Sequence, residues 1–372
     1  MAQPAGCVAM SDVWIISDSI ISPLGNSSVE NYDAVRKGQS GIKFHETSTL
    51  SKTPIHASLI TTEANLPFTR FESIAVDAVA NAIDGLVLPR DKTIFILSTT
   101  KGNIELIDSN PKHARIGLNE SAKFIATHFG FTHTQVVSNA CISGSLALLV
   151  AQRMLAAQQF DHAVVVAAEV LSKFIVSGFQ SLHALSPDAC RPFDHARTGI
   201  SLGEAAAAVV LSTTKGKRNL RLAGGGLSND ANHISGPSRT GKELSVAIDH
   251  ALNSSKVSTT EIDFISAHGT ATIFNDEMEA KAFSHSNIQH APLHSLKGYF
   301  GHTLGAAGVV ESIIAMHALE QNELIPSMGF ESSGVSVPVN VVKKLERRTL
   351  NRVLKTASGF GGCNAAIILE KI

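Results

Sequence analysis

The sequence predicts an α/β protein made of two related halves, and three observations carry this prediction. Short runs of β-branched and apolar residues recur, and many are followed by helical segments rich in small residues. A chain of 372 residues is too long for a single hydrophobic core, so two domains or two halves sharing an interface are expected. The order strand, reactive residue, helix also occurs twice along the chain.

The predicted strands are continuous apolar runs, which is typical of strands buried on both faces. In the first half they are 13–16, 93–97, 163–166 and 203–211. The last of these reads GEAAAAVVL, and its alanines would also suit a helix. The second half supplies 220–222, 262–265 and 366–369.

A polar, basic stretch, STTKGKRN at 212–219, is the best candidate for a linker between the halves. We therefore predict an N-terminal half over residues 1–211 and a C-terminal half over residues 219–372. The repeated order runs from a strand at 135–140 through Cys141 into a helix at 144–157. It recurs from 293–296 through Lys297 and His302 into 305–319.

Charge and cysteine content exclude several classes of protein. The formal net charge of -1 shows no excess of basic residues of the kind that binding to nucleic acid or anionic lipid requires. The four cysteines show no CxxC spacing, so neither a disulfide framework nor a metal site is expected. No apolar run reaches the ~18 residues that a membrane span requires. Residues 4–7, PAGC, are similar to a lipoprotein cleavage site, but neither a basic start nor an apolar run precedes them. We therefore expect a loose N-terminus and a soluble, cytoplasmic protein.

Cys141 is the candidate nucleophile. It lies in SNACISGS at 138–145, just before an Ala/Leu-rich helical segment. A thiol at a helix N-terminus experiences the positive end of the helix dipole, which favours the thiolate. The alternative is that Cys141 is a small buried apolar residue, and its setting alone does not decide between the two.

Two histidines in glycine-rich segments favour the catalytic alternative. His268 lies in ISAHGTAT, directly after a strand-like run, and His302 lies in KGYFGHTLGAAG. Any one of the 16 histidines is more often a surface residue or a satisfied core residue than a catalyst. Two beside glycine, together with a cysteine at a helix start, reverse that expectation.

Five segments resemble the β-ketoacyl synthase family of the thiolase-like superfamily, and they follow that family's order. They are 138–145, RPFD at 191–194 with GE at 203–204, the HGT segment with Asp276 and Glu279, residues 297–311, and GFGGCN at 359–364. The resemblance runs from about the middle of the chain to its end and is loose before Cys141. It implies a thiolase-like fold, in which two duplicated α/β halves form αβαβα layers.

The resemblance also implies an acyltransferase that performs a decarboxylative Claisen condensation in fatty-acid, polyketide or aryl-polyene-type biosynthesis. Cys141 would accept the acyl chain as a thioester, and His268 and His302 would donate hydrogen bonds to the malonyl thioester carbonyl. Backbone N–H groups of Cys141 and Phe360 would form the oxyanion hole. Pre-aligned donors of this kind stabilise a developing oxyanion by about 3–4 kcal/mol each.

Other matching residues would support the site. Lys297 would order it electrostatically with Glu311 as partner, although an ordinary ion pair is the alternative. Four acidic residues are expected to be scaffold, the first two holding the His268 loop: Asp276, Glu279, Asp194 and Glu204.

The sequence departs from the family pattern at the acyl pocket, whose gate would consist of Ser358, Gly359 and Phe360. Ser358 stands where many members carry a phenylalanine that gates the pocket. We therefore hypothesise an unusual acyl chain, such as an aryl or polyene pigment precursor. Cys363 replaces the usual threonine, and we interpret it as a packing residue.

Three other classes compete with this interpretation. A thiolase would have its second cysteine in a Cys-x-Gly setting, whereas Cys363 precedes Asn364. A non-catalytic or weakly active partner subunit would usually lack the nucleophile. A cysteine hydrolase would leave Lys297 and the second histidine unexplained.

The resemblance implies an acyl carrier protein as partner, and a homodimer or a heterodimer with a ketosynthase-like subunit. The carrier's acidic helix would contact basic residues near the pocket mouth, for which the candidates are Arg36, Lys37, Arg191 and Arg197. No redox cofactor or metal is expected, although relatives hold a structural monovalent cation near the position of Glu311. The sequence does not fix the acyl length, the pathway, or carrier protein against coenzyme A as donor.

Overall fold

Strands and helices alternate along most of the chain, as the computed structural model shows for residues 12–46, 48–61, 63–231 and 236–372. The segment 4–7 with Cys7 lies outside these described residues. The strands are β1 (Trp14–Ile21), β2 (Lys43–His45), β3 (Ile55–Ser58), β4 (Thr93–Ser98), β5 (His133–Val137), β6 (His162–Glu169), β7 (Leu202–Gly203), β8 (Ala205–Ser212), β9 (Leu220–Asn229), β10 (Phe264–Ser266), β11 (Pro292–His294), β12 (Glu323–Leu324), β13 (Asn340–Val341), β14 (Glu346–Arg347), β15 (Arg352–Gly359) and β16 (Cys363–Lys371). The α-helices are α1 (Ser28–Arg36), α2 (Arg70–Ile83), α3 (Leu106–Ser109), α4 (Leu118–His128), α5 (Ser143–Ala156), α6 (Lys173–Ser181), α7 (Lys242–Ser255), α8 (Ile273–His285), α9 (Lys297–Phe300) and α10 (Ala307–Gln321).

The two halves have the same strand order. In the first half it is β5-β4-β6-β8-β1, and in the second it is β11-β10-β15-β16-β9, with β13 added beyond β11. In both, the first two pairings are parallel and the last two antiparallel. The pairing of Trp14 with Arg221 joins β1 to β9, so both sets belong to one eleven-stranded sheet.

Helices lie between the two halves of this sheet and on both outer faces. The central helices α5 and α10 contact each other and strands from both halves. Helices α2 and α4 pack on the outer face of the first half, and α7 packs on the second and contacts α8. This is the αβαβα arrangement predicted from the resemblance, and it is confirmed.

The internal repeat predicted from sequence is also present. β5 leads through Cys141 into α5, and β11 leads through Lys297 and His302 into α10. These strands hold the same place in the two strand orders. The reactive residues of the two halves therefore reach the centre of the molecule from equivalent positions.

Strand β8 shows why an alanine-rich run becomes a strand here. All its residues are buried, and they alternate between two cores. Ala205, Ala207 and Val209 face the central core, whereas Ala206 and Ala208 face the outer core under α2. Because helices cover both faces, small side chains are needed on each.

The other predicted strands overlap β1, β4, β6, β9, β10 and β16, although 13–16 and 262–265 begin one and two residues before β1 and β10. Strand β15 was not predicted, because Lys355, Thr356 and Ser358 interrupt its apolar pattern. Strand β8 ends at Ser212 and β9 begins at Leu220; the domain boundaries at 211 and 219 stay a prediction. Within the described residues, no helix combines the length and the apolar character needed to cross a bilayer.

The central helices meet backbone to backbone at two glycines. A Cβ added at Gly308 would lie 2.3 Å from the backbone nitrogen of Ser145, and one at Gly144 would lie 2.8 Å from that of Val309. We expect Gly308→Ala to lower the free energy of unfolding by about 1–3 kcal/mol, because the helices must separate to admit the methyl group. Chemical denaturation measures this.

Gly178→Ala in α6 is the matched control, since a Cβ there meets no atom within 4 Å. This variant should be neutral or slightly stabilising, because alanine is the better helix former. Equal destabilisation by both substitutions would contradict the close-contact argument.

Candidate active site

Cys141, His268 and His302 converge on one cavity of about 450 Å³. The Cys141 Sγ and one ring nitrogen of each histidine all lie within 4.8 Å of one another. Cys141 and His268 lie on the segments that directly follow β5 and β10, and His302 follows β11 after the short helix α9. The structure thus brings together the three residues that the sequence predicted as catalytic.

A tight turn presents Cys141 to the cavity. Ala140 adopts a left-handed backbone conformation (φ 44°), which is strained for a residue with a side chain. The Ser143 hydroxyl donates to the Ala140 carbonyl over 2.6 Å and accepts from the Asn139 N–H over 2.7 Å. These two bonds hold the turn, so the thiol is fixed just before α5.

The free thiol of Cys141 is protonated at neutral pH. Burial raises its pKa to about 12, although the Lys297 ammonium opposes the rise. The expectation of a favoured thiolate at the helix start is therefore wrong for the free site, because desolvation has the larger effect. Attack on a substrate consequently requires a group that takes the thiol proton.

Backbone hydrogen bonds lock the His302 segment and fix the tautomer of its ring. The His302 N–H donates to the Ser201 carbonyl over 2.7 Å, and the Gly203 N–H donates to the His302 carbonyl over 3.0 Å. The Leu304 N–H donates to His302 Nδ1 over 3.1 Å. In the neutral ring the proton must then be on Nε2, so His302 is a hydrogen-bond donor toward the cavity.

Two buried carboxylates hold the loop of His268, as predicted. Glu279 accepts hydrogen bonds from the His268 N–H over 2.9 Å and from the Gly269 N–H over 2.6 Å. Asp276 accepts from the Thr270 N–H over 2.9 Å. Burial raises the pKa of Asp276 to about 7, and the pKa of Glu279 is raised by the same cause.

Both histidine rings are neutral at pH 7. Burial is the main cause that lowers the pKa of His268 and of His302 well below the ordinary value, and the nearby Lys297 ammonium lowers both further. The rings stand nearly perpendicular with their centroids 5.2 Å apart. No hydrogen bond to the His268 ring is found among the described residues, so its tautomer is free to change.

Behind the histidines lies a buried cluster of three charged residues. Lys297 bonds to Glu311, as predicted, and donates to the His268 carbonyl over 3.0 Å. Sequence reasoning missed the third member, Lys355, whose Nζ lies 2.6 Å from Glu311 Oε2. A lysine inside the apolar run around VLKTAS would have been the signal, had that run been recognised as a strand.

The backbone just before Phe360, one predicted oxyanion donor, lies close to the backbone nitrogen of Cys141, the other. A Cβ on Gly359 would be 3.0 Å from the Cys141 backbone nitrogen, so the end of β15 passes directly beside it. Phe360 follows, 41% exposed, with its ring stacked on Phe179 at a centroid distance of 5.9 Å. Glycine at 359 thus permits β15 to pass close to the Cys141 N–H, and the oxyanion hole itself stays a prediction.

The remaining predicted residues have structural contacts. Ser358 lines the cavity and donates to Asn364 Oδ1 over 2.7 Å. Cys363 is buried, with Sγ 3.4 Å from the Phe360 carbonyl, in agreement with a packing role. Asp194 accepts backbone N–H bonds from 331–332, and Glu204 accepts them from residues 60 and 171.

One predicted carrier-protein contact is wrong. Arg197 is buried, and its guanidinium donates to the Asp194 and Gly334 carbonyls, so it is unavailable to a partner. Arg36 forms an ion pair with Glu323. Of the four candidates, Lys37 is exposed, and Arg191 is half-buried with its side chain 43% exposed and 4.0 Å from Glu331.

The same three cavity residues form the one cluster of metal-ligating side chains within the described ranges. Thiolate and imidazole are ligands that Zn²⁺ prefers. The condensation that the resemblance implies requires these atoms to be free, and the expectation of no metal stays a prediction.

Comparison with known proteins identifies the family. The β-ketoacyl synthase N-terminal domain matches residues 109–216 and its C-terminal domain matches residues 221–331. A protein of Streptomyces halstedii named as a polyketide β-ketoacyl synthase is 30% identical over 328 residues, which cover 82% of this chain and 78% of that protein. A 3-oxoacyl-[acyl-carrier-protein] synthase of Rhizobium meliloti is 33% identical over 253 residues, 63% of this chain and 60% of its own length.

A solved structure has the same fold over nearly the whole chain. It is a ketosynthase in complex with its chain length factor from Xenorhabdus doucetiae, with a TM-score of 0.88 and 25% identity. The match covers 97% of this chain and 98% of that one. The protein is therefore an acyltransferase-type condensing enzyme of thiolase-like fold. It belongs to the β-ketoacyl synthase family.

The pKa of Cys141 predicts how the resting thiol reacts. Because this pKa is about 12, the thiolate fraction should grow about tenfold per pH unit from pH 7 to 10. Iodoacetamide labelling, mapped by peptide mass spectrometry, should follow that slope without a plateau. Cys141→Ala identifies the labelled site, and a plateau near pH 7 would show that the thiol is activated in the free enzyme.

Proposed function

We propose that this chain is a catalytic ketosynthase that accepts an acyl group on Cys141 and condenses it with malonyl-acyl carrier protein. The product is a 3-ketoacyl-acyl carrier protein, and carbon dioxide is released. The observation that carries the proposal is the convergence of the Cys141 thiol and two neutral imidazoles in one cavity.

In the first half-reaction, the thiol of Cys141 attacks the carbonyl carbon of the acyl thioester. His268, whose tautomer is not fixed, takes the thiol proton and passes it to the departing carrier thiolate. The oxyanion that forms accepts hydrogen bonds from the N–H groups of Cys141 and Phe360. The acyl group is then held on the enzyme, and the carrier leaves as a free thiol.

In the second half-reaction, malonyl thioester loses carbon dioxide and forms an enolate. The Nε2–H of His302 and an N–H of His268 stabilise its oxygen as the negative charge develops. The enolate carbon attacks the Cys141 thioester and expels the thiolate. The electron pair of the broken C–C bond forms the new C–C bond. The pair of the broken C–S bond stays on the Cys141 sulfur, which takes up a proton from water.

The rival classes explain these contacts less well. A thiolase requires a second cysteine as base, yet Cys363 is a packing residue whose thiol pKa is raised by burial. A non-catalytic partner subunit has no use for a complete Cys-His-His set with a buried Lys297. The proposal therefore takes the catalytic alternative for this chain.

We further propose that the chain acts as a dimer and receives substrates from an acyl carrier protein. The similar ketosynthase from Xenorhabdus doucetiae is paired with a chain length factor, which supports a second ketosynthase-like subunit. Strand β5 is the last strand of the large sheet, and among the described residues only its β4 side is paired. Its other edge could pair with a second subunit. Co-expression and native mass spectrometry distinguish a homodimer from a heterodimer.

The cavity favours an acyl chain with aromatic or conjugated character. Apolar and aromatic side chains line it, among them Phe179, Leu182, Phe274 and Phe360. Ser358 leaves space at the position where the resemblance places a phenylalanine in many members of the family. We propose an aryl or polyene chain as substrate, in a polyketide-type pathway.

Intact-protein mass spectrometry tests the proposed reaction. The protein is incubated with a panel of acyl-carrier thioesters and then with malonyl carrier protein, alone and with a co-expressed partner subunit. We expect an acyl mass on the wild type but not on Cys141→Ala, followed by transfer into a 3-ketoacyl carrier product. Acylation discharged only to water would favour a hydrolase, and no acylation in any combination would favour a non-catalytic subunit.

Substitution at Ser358 tests the substrate class. Ser358→Phe should reduce acylation by long or aromatic chains by roughly tenfold or more relative to short ones, because one misplaced bulky group in a pocket costs about 1–3 kcal/mol. Ser358→Ala removes the bond to Asn364 without adding bulk and should keep the wild-type preference. An unchanged preference in Ser358→Phe would count against the gate argument.

A further inference from the structure

The buried side chain of Lys355 is surrounded by oxygen atoms. Its Nζ lies 2.6 Å from Glu311 Oε2 and 2.6 Å from the Thr356 carbonyl. The carbonyls of Ser266 and Ala267 lie 3.3 and 3.4 Å away. The side chain has no exposure to solvent. The three carbonyl oxygens accept hydrogen bonds from Nζ, and Glu311 Oε2 is in ion-pair contact with it. None of the four oxygens can donate, so the arrangement suits an ammonium with three N–H donors better than a neutral amine with a lone pair.

These oxygens are also the ligands that a hard monovalent metal ion takes. Carboxylate and carbonyl oxygens bind such cations in proteins, whereas nitrogen and sulfur select softer metals. The family resemblance places a structural monovalent cation near Glu311. The residues of this chain do not fit one, because the Lys355 ammonium already contacts the Glu311 oxygen on that side. A metal ion there would face a like charge at contact distance.

We propose that Lys355 is a tethered cation that takes the place of a structural monovalent metal ion beside the active site. Glu311 then lies between two ammonium groups, with Lys297 on Oε1 and Lys355 on Oε2. One carboxylate thus neutralises one of the two buried ammonium charges, and the cluster keeps a net positive charge without an added ion.

Lys355 is accordingly a positioning residue for His268. It bonds to the carbonyls of Ser266 and Ala267, the two residues directly before His268. It also orients Glu311, which bonds to Lys297, and Lys297 bonds to the His268 carbonyl. Both routes end at the histidine whose ring exchanges protons and donates to the enolate.

A pair of variants separates the charge of Lys355 from its volume. Lys355→Ala vacates the oxygen cage and leaves space for a cation, whereas Lys355→Met removes the charge but keeps the cage filled. Thermal unfolding midpoints and malonyl decarboxylation rates are measured in KCl, in NaCl and in choline chloride at equal ionic strength. The unfolding measurement does not depend on the proposed function, so its outcome stands even if the condensation assay fails.

We expect the wild type to behave alike in all three salts. Lys355→Ala should lose decarboxylation activity by roughly tenfold or more in choline chloride. K⁺ or Na⁺ should restore much of that loss and raise its midpoint by roughly 2–4 °C, as binding of a ligand to the folded state does. Lys355→Met should show the loss without the restoration.

Two results would overturn the proposal. One is a wild type whose midpoint or activity falls when K⁺ and Na⁺ are replaced by choline. The other is a response to K⁺ that is equal in the two variants. Should Lys355→Ala fail to fold, crystals of the wild type in RbCl decide: an anomalous peak beside Glu311 refutes the tethered cation, and its absence there supports it.

Discussion

The contact of Gly144 with Gly308 is the constraint on which the rest of the site depends. It allows the first turns of the two central helices to touch without side chains between them. The segments that precede these helices are therefore forced into the same small volume, and those segments carry Cys141 and His302. A larger residue at either glycine would separate the halves before it disturbed any catalytic side chain directly.

Burial decides the protonation states of the site and keeps its three central residues uncharged in the free enzyme. It raises the thiol pKa and lowers both imidazole pKa values, so the three groups that face the cavity are neutral at pH 7. The positive charge lies behind them, on Lys297 and Lys355, which both contact Glu311. An ammonium in the cavity itself would be able to protonate an enolate. Neutral N–H donors with positive charge behind them stabilise the developing oxyanion and leave the carbon free to attack.

The sequence predicted the features that depend on local pattern. Buried apolar runs predicted seven of the eleven strands of the large sheet, and the repeated strand-to-helix segments indicated the duplication. The joint role of Cys141 with His268 and His302 was predicted from their glycine-rich settings and from the family resemblance. The pKa of Cys141 was beyond such reasoning, because it depends on burial by distant segments as well as on the adjacent helix. Arg197 was assigned to the surface for the same reason: nothing local shows that loops from both halves enclose it. Lys355 was missed because polar residues interrupt the apolar pattern of β15, so that the run was not recognised as a buried strand.

The two halves share a topology but carry buried residues of opposite charge on equivalent strands. In the first half, Glu169 at the end of β6 accepts hydrogen bonds from the N–H groups of Thr100 and Gly305, and burial raises its pKa to about 7. In the second half, the equivalent strand β15 carries Lys355 instead. An acid behind the nucleophile disfavours a standing thiolate, whereas a cation behind the histidines favours negative charge on a bound thioester oxygen. The two halves therefore carry opposite charges that suit the two proposed half-reactions. The acid of the first half keeps the Cys141 thiol protonated until an acyl group arrives. The cation of the second half stabilises the enolate.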